Sequence, residues 1–61
     1  MEVDADILVC ARAAIQEFSL EAAREMQNRA EAHERTGEMA GMSYWRHVAE
    51  GVRQLLSGRP D

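Results

Sequence analysis

Cysteine is nearly missing from this 61-residue chain: Cys10 stands alone. No intrachain disulfide framework is available, although small secreted domains usually depend on one. Proline occurs once and glycine four times, too few for a flexible linker, a collagen-like repeat or a disordered tail. Lysine is absent, and the aromatic residues are only Phe18, Tyr44 and Trp45. No apolar run is long: the stretch 7–15 is interrupted by Arg12 and falls far short of the roughly 20 residues that cross a bilayer. The first residues are acidic (Glu2, Asp4, Asp6), whereas secretory signals and transit peptides begin basic. The expectation is a cytoplasmic protein with a reduced thiol and no membrane association.

What fills the chain instead is alanine, arginine and glutamate, all good helix formers, within a composition that is 46% hydrophobic and 30% charged. This predicts an all-α fold in a single small helical domain spanning residues 1–61. Eleven acidic residues against seven arginines give a net charge of −4. A phosphate-binding module normally carries a basic face, so a nucleic-acid partner is not expected. Size poses the sharper question. Below about 70–80 residues a single core rarely supplies more than about 3–5 kcal/mol, and neither a disulfide nor an evident metal site reinforces this one.

Three apolar patterns define the expected elements. Asp4 and Asp6 precede Ile7, Leu8, Ala11, Ala14, Ile15 and Phe18, which recur at three- and four-residue steps as one face of a helix with an acidic start. Ser19 follows, and a break or kink is expected near Phe18–Ser19, with Ser19 as a candidate N-cap for a helix beginning at Leu20. The alternative is one long helix, because Ile7, Ala11, Ile15, Phe18, Ala22, Met26, Ala30 and His33 form a nearly unbroken stripe. The second segment, 20–35, turns Ala22, Ala23, Met26 and Ala30 inward. Glu25–Arg29 and Glu31–Arg35 have the i,i+4 spacing of salt bridges on a solvated face, which would leave Arg24, Arg29 and Arg35 poor phosphate clamps among glutamates.

Thr36-Gly37-Glu38 is the clearest boundary. Gly37 suits the left-handed conformation that ends a helix, and Glu38 would place an acid in the first turn of the next. The third helix is expected to run to about Ser57 and to close at Gly58-Arg59-Pro60. Its inward face reads Met42, Trp45, Val48, Ala49, Val52, Leu55 and Leu56, with Trp45 as the main anchor and Tyr44 at the flank. Gly41, one turn in, would let the two backbones approach. The architecture expected is a helical hairpin behind an N-terminal helix, two long helices or three shorter ones.

The turn Ala32-His33-Glu34-Arg35-Thr36-Gly37-Glu38-Met39-Ala40-Gly41 resembles the corner of a tetratricopeptide helical pair, although 61 residues cannot repeat that 34-residue unit. More broadly, Gly37-Glu38, Gly41, Trp45 and Val48-Ala49 are similar to a domain of unknown function in small helical proteins of alphaproteobacteria. In these a Gly-Asp-x-x-Gly-x-x-x-Trp core joins two helices; here Glu38 replaces the more usual Asp. The resemblance spans about residues 8–56 and implies a helical hairpin, with no catalytic residue to carry over.

Chemistry-bearing residues are sparse. His33 lies on the inward stripe, where a hydrogen bond to a backbone carbonyl is the simpler expectation; imidazoles change charge near neutrality, so a pH-sensitive interface contact is the sharper one. His47 and Glu50 are i,i+3, the reverse of the Glu-x-x-His order of di-iron bundles, and Cys10 has no second cysteine. Neither a metal nor another cofactor is expected, nor catalysis, nor a small-molecule substrate. The function expected is protein interaction, with the bundle completed by self-association, as a homodimer or another small oligomer. Ile7, Ala11, Ile15, Phe18, Met26, Trp45, Val48, Val52 and Leu55 would form the core or interface. The alternatives are a helix-turn-helix nucleic-acid regulator, using Arg46, His47 and Arg53, and a small adaptor or inhibitor of a basic protein.

Overall fold

A computed structural model describes residues 5–58, and these are all-α. Asp4, Arg59 and Pro60, read above as helix-boundary residues, lie outside them. Helix α1 spans Ala5–Phe18, a 3-10 turn spans Ser19–Glu21, α2 spans Ala22–Arg35 and α3 spans Met39–Ser57. α2 and α3 form the principal hairpin, and α1 packs mainly on α3.

The break after Phe18 occurs where expected, by a different device. Ser19 does not cap a helix. It has φ +54° and is the one non-glycine residue with positive φ among the described residues. α2 begins at Ala22 behind Glu21, whose side chain makes no capping bond. Leu20, expected as the first helical residue, sits in the 3-10 turn with 82% of its surface exposed.

The hairpin corner is a Schellman turn. The Glu38 amide donates to the His33 carbonyl at 2.9 Å and the Gly37 amide to the Glu34 carbonyl at 3.1 Å, the pair of bonds that satisfies a helix's last carbonyls. Gly37 has φ +82°. Thr36 Oγ1 adds a bond to the His33 carbonyl at 3.0 Å. Glu38 stands at the N-cap of α3 and not within its first turn. Because a Cβ at Gly37 would meet nothing within 4 Å, Gly37→Ala is a pure backbone test. It should cost about 1–2 kcal/mol, read from thermal unfolding, and Gly37→Asn should cost less because Asn tolerates the left-handed region.

The core is narrow. Ala11, Ala14, Ala22, Met26, Ala30, Val48, Ala49 and Val52 are buried, and Val48 and Val52 are the largest of the side chains that are fully enclosed. Ile7, Ile15, Phe18, Tyr44 and Trp45 pack against this cluster while only partly buried. Trp45 is therefore a flank of the core, not its central anchor. Leu55 and Leu56, expected inward, are 37% and 40% exposed. The reason is length: α3 has 19 residues and α2 only 14. In an antiparallel hairpin the last turn of α3 overhangs its partner.

Candidate functional site

Where the three helices meet, Cys10, Ala14 and Phe18 of α1, Met26 and Arg29 of α2 and Trp45 of α3 line an open groove of about 170 Å³, with Glu17 also at its wall. Pockets for small-molecule substrates typically measure about 300–1,000 Å³. A space near 150 Å³ holds one benzene-sized group, so this groove suits a single side chain.

Cys10 and Arg29 in its lining are engaged with neighbours. Cys10 Sγ and the Tyr44 hydroxyl share a hydrogen bond at 2.8 Å, so Tyr44 turns its polar end to a thiol. The Arg29 guanidinium lies 5.2 Å from the Trp45 ring centroid, within range of a cation–π contact. Tyr44 meets Trp45 edge-on at 5.1 Å. The predicted Glu25–Arg29 and Glu31–Arg35 bridges are not formed. Among the described residues the Arg–carboxylate pairs are Arg46–Glu34 at 3.8 Å, across the hairpin, and Arg53–Glu50 at 3.3 Å. Arg29 covers an aromatic face that would otherwise meet water, a packing advantage an exposed ion pair lacks.

The histidines lie elsewhere. His33 is half-buried at the hairpin corner and its Nδ1–H donates to Glu38 Oε1 at 2.7 Å, a side-chain acceptor in place of the expected backbone carbonyl. A neutral ring can make this bond as well as a charged one. The same imidazole fills the space above Gly41, where an added Cβ would fall 2.7 Å from Nδ1. Gly41 therefore admits a ring, not a neighbouring backbone. His47 is exposed and its Nδ1–H donates to the Ser43 carbonyl at 2.8 Å, while Glu50 faces Arg53. The His47–Glu50 spacing thus brings no pair of ligands together. No group of three or more His, Cys, Asp or Glu among the described residues is arranged to hold a metal ion. Nor does any described helix have the length and apolarity to cross a membrane.

Sequence reasoning passed over Gly51. It is buried in α3, and a Cβ there would lie 3.4 Å from the Ala11 Cβ and 3.7 Å from Ile7 Cγ2. A glycine inside a strong helical pattern is the available signal, since it costs about 1 kcal/mol against alanine and needs a compensating close approach. The Cys10–Tyr44 and Arg29–Trp45 contacts had no comparable signal in spacing.

No family model matches the chain, and neither a curated protein nor a solved structure matches it.

Proposed function

We propose that this chain is a small protein-interaction module that works as a self-associated helical bundle, without catalysis of its own. The observation that carries this reading is the inverted distribution of apolar bulk. Five of the eight buried core residues are alanines, whereas Leu20, Val9 and Met39 are 82%, 64% and 55% exposed. Burial contributes about 25 cal/mol per Å² of apolar surface, so a core of five alanines, two valines and Met26 draws little from it. A second chain covering the larger side chains supplies the remainder, as oligomerisation does for other short chains.

The helix-turn-helix alternative has less support. Both described arginines of α3, Arg46 and Arg53, face carboxylates, which competes with binding phosphates. Light scattering from low micromolar to millimolar protein tests the proposal. The expected mass rises to twice 6.9 kDa, with a melting temperature that climbs with concentration. A 6.9 kDa particle throughout, with an invariant melting temperature, would overturn it; association only with an added basic protein would favour the adaptor reading instead.

A further inference from the structure

Resting on the self-association just proposed, we infer that the second copy docks by exchange: residues 5–35 straighten into one helix at Ser19, and α1 of each chain packs on α3 of the other. Three independent features converge on this. The first is the hinge. Phe18 (φ −112°, ψ −5°) and Glu21 (φ −86°, ψ −1°) on either side keep negative φ beside the helical region, whereas Ser19 turns to φ +54°, a region in which L-residues other than Asn and Asp are strained. Rotating Ser19 into the right-handed region, with smaller adjustments of Phe18 and Glu21 to full helical angles, relieves the strain and merges α1 with α2.

The second feature is the sequence of the arm. Residues 5–35 contain no glycine and no proline. The buried or half-buried positions Ile7, Ala11, Ile15, Phe18, Ala22, Met26, Ala30 and His33 keep helical spacing straight through the break. A chain that needed a permanent corner here would be expected to place a glycine at the left-handed position, as it does at Gly37. The third is the contact to be exchanged. Ala11 and Ile7 close on Gly51, and Cys10 on Tyr44; these pairings form equally well within one chain or between two, which makes exchange a low-cost route to a dimer. Exchange also gives Leu20 a partner. It sits beside the hinge and is 82% exposed in the closed chain, so a second chain crossing there would cover it.

The exchanged arm would be about 46 Å long at 1.5 Å per residue, against a longest dimension of 33 Å for the closed chain. Cross-linking reads the topology directly. An ideal Cβ at position 51 lies 3.4 Å from the Ala11 Cβ, close to the roughly 3.8 Å of a disulfide. In a Cys10→Ser background, the Ala11→Cys/Gly51→Cys double variant is oxidised at a concentration where the native chain is dimeric. Exchange yields a covalent dimer on a denaturing non-reducing gel, with peptide mapping showing residue 11 of one chain joined to 51 of the other.

The hinge supplies a measurement without cysteines. Ser19→Gly tolerates the closed corner and weakens a continuous helix, so it should raise the dimer dissociation constant on the order of tenfold or more. Ser19→Ala should lower it. A native dimer whose cross-links all lie within single chains, or whose dissociation constant ignores residue 19, overturns exchange and leaves self-association standing. A native chain that stays monomeric at every concentration removes both.

Discussion

Chains carrying Val48→Asp are expected to show no cooperative thermal transition and to lose most of their helical circular dichroism at 25 °C. Val48 is fully enclosed, and the described core contains no buried polar or charged group that might receive a carboxylate. Arg29 and Arg46 are engaged outside it: Arg29 lies on Trp45, and Arg46 faces Glu34 at the surface. An unpaired buried carboxylate costs several kcal/mol even after the surroundings relax or the group takes up a proton. A core of this size supplies about 3–5 kcal/mol in all, so one substitution consumes it. Two comparisons fix the cause. Val48→Ala removes only apolar volume and should cost about 2 kcal/mol, leaving a lowered but cooperative transition. Gln54→Asp, on the exposed side of the same helix, should change stability by less than about 0.5 kcal/mol. If Val48→Asp unfolds at nearly the native temperature, the Ala–Val cluster is not the core.

The same distinction between a face and its neighbours explains what was legible in the sequence. Periodicity identifies which residues share a face, and for Ala11, Ala14, Ala22, Met26, Ala30, Val48 and Val52 that was enough to place them in the core. Turn chemistry was equally informative where one residue type is nearly obligatory, as with Gly37 and Gly58, both at positive φ. Periodicity does not say how far a facing helix extends, which is why Leu55 and Leu56 continue the apolar pattern past the end of α2. Nor does local spacing rank an i,i+4 ion pair against a long-range partner. Glu25 is in register for Arg29, but Trp45 lies 16 residues further along and takes it. The groove was illegible for the same reason, since Cys10 and Tyr44 meet across 34 residues. Ser19 is the instructive case. The break was expected there, with one long helix as the alternative, but a serine in the left-handed conformation has no local signature.

The packing of α1 on α3 can be tested at Gly51, and opposite outcomes are expected from two substitutions there. Gly51→Ala adds a Cβ at ordinary contact distance from Ala11 and Ile7 and removes a glycine from a helix interior. It should stabilise by about 0.5–1 kcal/mol, an increase of about 4–8 °C in melting temperature per kcal/mol for a domain of this size. Gly51→Leu adds three further carbons where Ala11 already closes the space. Overpacking of this kind costs about 1–3 kcal/mol or more, beyond what the better helix propensity of leucine returns, and the strain falls on the contact of α1 with α3. Amide hydrogen exchange separates this outcome from general unfolding: α1 should lose protection while the facing turns of α2 and α3 keep part of theirs. Under the proposed exchange, Ser19 substitutions would shift the balance between closed and exchanged arms, whereas Gly51→Leu would spoil the contact both share. It should therefore weaken the folded monomer and the dimer together, and a Gly51→Leu chain with native protection in α1 would show that α1 does not pack on α3 at Gly51.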